Sequence, residues 1–146
     1  MAGYDVILCD VWGVLHDGRV AYDAAGAALA EFRRRGGTVI LVSNAPVPAA
    51  GVENVLRSTG VRRDCWDAIV SSGDLALTHI AERGFKRLHR VGPAARDGLL
   101  FKALPSADTP MADADAIVCS GLVDDINETV ADYRPLIDAG DRKSVV

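Results

Sequence analysis

Short apolar runs alternate with amphipathic stretches along the first half of the chain. The runs at 6–9, 38–42 and 68–70 have the length and the Val, Ile and Leu content of buried strands. Apolar residues at helical spacing predict a helix in each interval between them, at 22–35 and 46–60. Strands that alternate with helices of this length are typical of parallel βαβ units.

The second half of the chain carries a weaker form of the same alternation. Its clearest strand is 116–119, and the tail at 141–146 fits no pattern. The other predicted elements are a strand at 87–91 and helices at 75–83, 94–104 and 127–139, the last kinked or split by Pro135. We therefore predict an α/β fold, a partial Rossmann-like parallel sheet with flanking helices that is followed by a second α/β segment.

Two of the predicted strands end in residues that suit phosphate chemistry. Asp10 follows the first strand and opens a glycine-containing turn, whereas Ser43 and Asn44 follow the second strand. Because parallel strands bring their carboxyl ends to one edge, where open α/β sheets bind ligands, we expect these three residues to be neighbours.

An aspartate at such an edge can attack a phosphoryl group and form an aspartyl-phosphate, which splits hydrolysis into two easier steps. The two anions repel, and Mg²⁺ could lie between them, bound by Asp10 and by the backbone carbonyl of Trp12. The Ser43 hydroxyl and backbone amides near Asn44 could hold the phosphate. The residues alone leave two structural alternatives open, Asp10 as a turn former and Ser43-Asn44 as an ordinary helix cap.

Composition narrows the choice of partners. The 146 residues carry a formal net charge of -4, which argues against nucleic acid because backbone binding needs a basic face. The basic cluster at 33–35 lies at a predicted helix end, where the helix dipole favours cations. Three widely spaced cysteines and a start unlike a signal peptide predict a cytoplasmic protein. No apolar run approaches the roughly 20 residues that a membrane span needs.

The residues at 10–15, Asp-Val-Trp-Gly-Val-Leu, resemble the first motif of the haloacid dehalogenase superfamily, Asp-x-Asp-Gly-x-Leu. Val-Ser-Asn at 42–44 resembles its second motif, and the order and spacing resemble class IIA, whose large α/β cap follows the third core strand. The resemblance implies a Mg²⁺-dependent phosphatase of small phosphorylated metabolites. It implies Asp10 as nucleophile and metal ligand, the Trp12 carbonyl as second metal ligand, and Ser43 with Asn44 at the phosphate.

Position 12 departs from that motif. The second aspartate of the family, its general acid and base, falls where this chain has Trp12. An indole cannot protonate a leaving group at neutral pH, and proton transfer of this kind contributes roughly 10²–10⁴-fold in rate. His16 or Asp17 could replace the missing acid if the turn folds back over the site; otherwise both are solvated turn residues.

The length departs from the family as well. The resemblance assigns 1–85 to the N-terminal part of the core and 86–146 to a partial cap. The Asn-Pro-Asp segment, the catalytic lysine and the late Gly-Asp segment of relatives do not occur before Val146, and Asp74 comes too early to belong to that segment. We therefore expect a C-terminally truncated form with weak or absent turnover, in which an exposed sheet edge favours a homodimer.

Two functions compete with a phosphatase. A non-catalytic remnant of the same fold would bind phosphate or a partner through the same edge, and Trp12 favours that reading. A receiver-like phosphoacceptor domain would need an acidic pair after the first strand and an aspartate after the third, where this chain has Ser71.

Overall fold

The computed structural model describes residues 3–121, 129–140 and 144–145. The strands in those ranges are β1 (Val6–Asp10), β2 (Thr38–Ser43), β3 (Ala68–Ser71), β4 (Leu88–Val91), β5 (Ala116–Cys119) and β6 (Ser144–Val145). The helices are α1 (Asp23–Arg34), α2 (Ala49–Thr59), α3 (Ser72–Arg83), α4 (Ala94–Ala103) and α5 (Arg134–Gly140), with 3₁₀ turns at Arg63–Cys65 and Met111–Asp113. None of the helices in these ranges is long and apolar enough to cross a bilayer.

The chain divides into two compact units, Met1–Asp74 and Leu75–Val146. The first unit contains a parallel sheet in the order β1-β2-β3, and the second contains a parallel sheet in the order β4-β5-β6. Helix α3 begins in the first unit and continues in the second. Parallel sheets with flanking helices confirm the predicted Rossmann-like α/β class.

Helices α1 and α2 cover one face of the first sheet. Val39 and Leu41 in β2 are fully buried and belong to one apolar cluster with Leu15, Leu29 and Leu56. Helix α1 packs on β2 and α2 packs on β3. Burial of a large apolar side chain contributes about 1.5–3 kcal/mol, so this cluster is the main source of stability for the sheet that carries Asp10.

The opposite face of the first sheet is open within the described ranges. Leu8 in β1 is 69% exposed, and Val6, Val42 and Val70 are also exposed. Asp10 belongs to this face, because it is opposite Val42 in the register of β1 and β2. Among the described strands, β1 has β2 as its single neighbour, so an apolar face here adjoins an unpaired edge.

Ion pairs hold the end of α1, as expected for basic residues in its last turn. Arg34 and Arg35 pair with Glu31 one turn earlier, each at 2.6 Å. Arg33 pairs with Asp67 at 2.5 Å, and the second oxygen of Asp67 accepts the Val39 N–H at 2.8 Å. The cluster therefore connects α1 to the strands beside it.

Asp115 anchors the start of β4 in the second unit. Its carboxylate accepts the backbone N–H groups of Lys86 and Arg87 and two bonds from the Arg87 guanidinium. The Arg87 bonds, followed by the two backbone bonds, lower the pKa of Asp115 from 3.8 to about 2. The apolar core of this unit includes Leu88, Leu100 and Val118.

The C-terminal part differs from the sequence-based expectation. Residues 129–133 form turns, where a helix over 127–139 is predicted; residues 127 and 128 lie outside the described ranges. Helix α5 begins at Arg134, and Pro135 lies in its first turn, where the missing N–H removes no helical hydrogen bond. Ser144 and Val145 in the patternless tail pair with Ala116 and Ile117 of β5.

Candidate active site

The carboxyl ends of β1 and β2 place two predicted site residues at one edge. Asp10 is the last residue of β1 and Ser43 is the last residue of β2. The register pairs Asp10 with Val42 and Ser43 with Ser71. Since the strands are parallel and adjacent, both side chains start from the same end of the sheet.

The same register offsets Asp10 and Ser43 by one residue. Side chains alternate between the faces of a sheet, so Asp10 leaves from the open face with Val42, whereas Ser43 leaves from the covered face with Ser71. The two can therefore converge only on a ligand beyond the strand ends, roughly in line with the sheet. A phosphate that contacts both side chains therefore has to lie at the edge of the sheet and not on one of its faces.

The Asp10 carboxylate is exposed and lightly bonded. Within the described residues, the carboxylate takes part in one hydrogen bond, in which its Oδ1 accepts the Val11 N–H at 2.7 Å. The neighbouring Cys9 thiol donates to the Asp10 carbonyl oxygen at 3.1 Å, and partial burial, with a smaller contribution from the Asp10 charge, raises the pKa of Cys9. Cys9 therefore stays a thiol at neutral pH, and Asp10 supplies the exposed carboxylate at this edge.

The loop after β2 is held by the residues that follow β3. The Ser43 hydroxyl accepts the Ala45 N–H at 3.2 Å. The Ser72 hydroxyl lies 3.0 Å from the carbonyl oxygens of both Asn44 and Ala45 and donates to them. These bonds fix the backbone of Asn44, whose amide was predicted to contact phosphate.

Residues 71–74, which we call the buttress, extend that support to α2. The Asp74 carboxylate accepts the Ala49 N–H at the start of α2 at 2.8 Å and the hydroxyl of fully buried Ser71 at 3.1 Å. Gly73 touches the loop backbone so closely that a Cβ there would lie 2.4 Å from the carbonyl carbon of Val47. Asp74, in the first turn of α3, thus caps the start of α2.

No pattern in the sequence indicates that residues 71–74 support a neighbouring loop. A run of small residues, Ser-Ser-Gly-Asp at 71–74, is the signal that could have identified it. Small residues after a strand allow close approach of another backbone, but nothing in the run says which loop approaches.

The turn after Asp10 folds into one helical turn and a hairpin. Leu15 N–H donates to the Val11 carbonyl at 2.9 Å, and Tyr22 N–H donates to the Leu15 carbonyl at 2.8 Å. His16 and Ala21 form the antiparallel bridge of the hairpin, which spans residues 15–22. The turn thus returns on itself and buries His16, which is therefore not the solvated turn residue of the second alternative.

His16 and Asp17 were the candidates for the missing acid. His16 is 1% exposed, and its Nδ1 accepts the Gly18 N–H at 2.9 Å, so the neutral ring carries its proton on Nε2. Asp17 accepts the N–H groups of Arg19 and Val20, and these two bonds lower its pKa. Asp17 therefore remains ionised at neutral pH and cannot act as an acid.

The described residues provide few ligands for a metal ion. No group of three or more His, Cys, Asp or Glu side chains suited to a metal occurs among them. Asp10 supplies one exposed carboxylate at the edge, and the Trp12 carbonyl stays a prediction as a second ligand. One carboxylate is compatible with Mg²⁺, which commonly completes its shell with water and substrate phosphate.

The second unit has its own polar cluster at the carboxyl ends of β4 and β5. Asp97 in α4 is fully buried and accepts two bonds from Arg96, at 2.7 and 2.9 Å, and one from the Ser120 hydroxyl at 2.6 Å. Gly92 lies against that hydroxyl. The cluster ties the kinked start of α4 to the end of β5, which the sequence did not indicate.

A family model described as haloacid dehalogenase-like hydrolase matches residues 7–103, which include Asp10, Ser43 and the buttress. The chain belongs to the haloacid dehalogenase-like hydrolase family. This confirms the resemblance stated above for the two motifs. No match was found among curated proteins.

Several solved structures resemble this chain. A haloacid dehalogenase-like hydrolase from Brucella suis 1330 is 39% identical, with a TM-score of 0.80, over 95% of this chain and 52% of its own. A 4-nitrophenylphosphatase from Thermotoga maritima is 20% identical, with a TM-score of 0.64, over 93% of this chain and 49% of its own. A glycerol phosphate phosphatase from Mycobacterium tuberculosis, in complex with calcium, is 21% identical, with a TM-score of 0.56, over 89% of this chain and 38% of its own.

The last two similarities show the fold alone. The chain spans about half the length, or less, of these solved structures. Activity, substrates and partners of the family therefore come to this chain as proposals.

Proposed function

We propose that this chain binds a small phosphate monoester at the edge formed by Asp10 and Ser43, and that Asp10 attacks its phosphorus. The observation that carries the proposal is the exposed Asp10 carboxylate at the end of β1, one residue out of register with the end of β2. Family membership and the phosphatases among the solved structures support it.

The proposed reaction uses two displacements. A carboxylate oxygen of Asp10 forms a bond to phosphorus while the ester P–O bond breaks and the leaving oxygen keeps the electron pair. Water then attacks the aspartyl-phosphate, which releases inorganic phosphate and restores the carboxylate. Ser43 and the backbone of Asn44 hold the phosphate oxygens during both steps.

We propose Mg²⁺ as the cofactor, held by Asp10 and the Trp12 carbonyl. A divalent cation, when bound, would offset the repulsion between the carboxylate and the phosphate. The exposed Asp10 carboxylate supports this choice, as does the calcium bound to the mycobacterial phosphatase.

We also propose the setting in which the chain acts. The partner we propose is a small phosphorylated metabolite, and the net charge of -4 supports a partner other than nucleic acid. Cys9, Cys65 and Cys119 are free, which supports a reducing cytoplasm. Residues 1–85 would act as the core segment and 86–146 as the cap segment, a division by family role that differs from the compact units.

Turnover of 4-nitrophenyl phosphate with Mg²⁺ tests the role of Asp10. We expect Asp10→Asn to lower kcat by at least about 100-fold, because a carboxamide is a poor nucleophile. Asp5→Asn is the matched control, since it removes the same charge just before the other end of β1. Equal rates for wild type and Asp10→Asn would exclude Asp10 from the mechanism.

A non-catalytic phosphate-binding function is the second candidate. The absence of a metal-ligand group within the described residues favours it. It predicts that phosphate raises the melting temperature with no turnover; at 100 times Kd the stabilisation is about 2.7 kcal/mol. Turnover that depends on Asp10 would contradict this alternative.

A further inference from the structure

Trp12 is an exposed aromatic residue with a fixed support. It is 65% exposed, and the His16 ring meets it edge to face, with centroids 5.4 Å apart and planes at 83°. Gly18 lies against the indole, where a Cβ would be 2.4 Å from the Trp12 Cη2 atom. The indole thus rests on a buried imidazole and a glycine, and the rest of its surface faces solvent.

Trp12 is also close to Asp10. The two residues are two positions apart, so their Cα atoms lie within about 7 Å of each other. An indole at that distance can contact the group that a phosphate bound at Asp10 carries. Flat aromatic groups suit this contact, because offset or edge-to-face packing of two rings is favourable.

The two candidate acids in the loop at 11–22, His16 and Asp17, are poorly placed to protonate a departing oxygen. The Asp17 carboxylate is held in its ionised form by the N–H groups of Arg19 and Val20. The Nε2 atom of His16 is buried and has no hydrogen-bond partner within the described residues, so it is enclosed by protein and shielded from solvent. A leaving group then departs as an anion, which favours weakly basic ones such as phenolates.

We propose that Trp12 is a specificity residue that packs against an aromatic leaving group, so that aryl phosphates are preferred to alkyl phosphates. This inference rests on the phosphatase function proposed above. The Asp10 carboxylate bonds to phosphorus, the bond to the phenolic oxygen breaks, and the phenolate leaves with the electron pair. The proton that the phenolate takes from solvent is balanced by the proton that water releases when it hydrolyses the aspartyl-phosphate.

Two phosphonates that cannot be hydrolysed measure the contact without turnover. Phenylphosphonate and methylphosphonate are titrated calorimetrically into the full chain with Mg²⁺. We expect the phenyl compound to bind wild type about tenfold more tightly, and the preference to fall within about twofold in Trp12→Leu. Trp12→Tyr keeps a ring and should retain most of the preference, and an unchanged circular dichroism spectrum shows that the variants are folded.

The titrations separate this inference from the function on which it rests. Equal binding of the two phosphonates by wild type, weakened together in Ser43→Ala, would leave the phosphate site standing and reject the role of Trp12. A full preference retained in Trp12→Leu would also reject it. If neither phosphonate binds wild type, the proposed phosphate site fails as well.

Turnover provides a second readout. Wild type should hydrolyse phenyl phosphate with a kcat/KM at least about 100-fold above that for ethyl phosphate. An alkoxide that departs without a proton loses the rate enhancement that a general acid provides, roughly 10²–10⁴-fold. Trp12→Leu should lower kcat/KM for phenyl phosphate about tenfold, mainly through a higher KM, which is the pattern of lost uniform binding. Comparable turnover of ethyl phosphate that is lost in His16→Asn would overturn the inference, because His16 would then supply the proton.

Discussion

Replacing Gly73 by alanine tests whether the buttress sets the position of the loop after β2. A Cβ at this position would lie 2.4 Å from the Val47 carbonyl carbon, 2.5 Å from its oxygen and 2.7 Å from its nitrogen. All three atoms are backbone, so no side chain can rotate away. Either the loop or the start of α3 has to move.

The magnitude follows from two opposing effects. Overpacking of this kind costs typically about 1–3 kcal/mol. Alanine is favoured over glycine in a helix by up to about 1 kcal/mol, and less in the first turn, where Gly73 lies. We therefore expect Gly73→Ala to lower the free energy of unfolding of the first unit by about 1–2 kcal/mol.

Gly98→Ala is the matched control. Gly98 lies inside α4, and nothing would come within 4 Å of a Cβ there. The same substitution should stabilise the second unit by up to about 1 kcal/mol. Because residue 73 approaches residue 47 closely, we expect the free energy of unfolding to fall in Gly73→Ala and to rise in Gly98→Ala.

Urea unfolding distinguishes the two variants. Both tryptophans, Trp12 and Trp66, are in the first unit, so their fluorescence follows Gly73→Ala, and circular dichroism follows Gly98→Ala. Phosphate should also protect Gly73→Ala less than wild type, because the Asn44 backbone shifts with the loop. A Gly73→Ala variant as stable as wild type, with full phosphate protection, would refute the account of the buttress.

Two further predictions concern pH and association. The Asp115 carboxylate has a pKa lowered from 3.8 to about 2, so it stabilises the fold at pH values above 3.8, and this stabilisation is lost as the pH falls toward 2. The difference in melting temperature between wild type and Asp115→Asn should therefore be constant above about pH 5 and disappear between pH 4 and 2. An unchanged difference at pH 2 would contradict the assignment. We also expect wild type to form a homodimer through the open face and the β1 edge, so its sedimentation should depend on concentration. Leu8→Lys should abolish that dependence, whereas Leu99→Lys on α4 should not. A monomer at all concentrations would exclude this association.

The strands of the first unit were predictable because each is a short, continuous apolar run that ends in polar residues. Burial of Val39 and Leu41 leaves a pattern that a sequence displays directly. That pattern, with the polar residues that end each run, located Asp10 and Ser43 at one edge. The family motif then assigned the chemistry, which the residues alone left open.

The features that the sequence did not predict depend on contacts between residues distant in sequence. Asp74 caps α2 at Ala49, and Asp115 binds the backbone ahead of β4. An aspartate in a loop has the same local sequence whether it is solvated or bonded to another segment, so no periodicity reveals the difference. The strand in the tail was not predicted for a different reason, because two residues are too few to show a strand pattern.

The one-residue offset between Asp10 and Ser43 makes the loops decisive at this edge. A ligand in line with the sheet, beyond the strand ends, meets the sheet through the Asp10 and Ser43 side chains, so its other contacts have to come from the loops that follow β1 and β2. The two loops are held by separate devices, the hairpin under Trp12 and the buttress behind Asn44. Because these devices share no residue, disturbing the hairpin should change which leaving group is accepted, and disturbing the buttress should change how tightly phosphate itself is held. That independence is what a phosphate site with separately tuned recognition of its substrate requires.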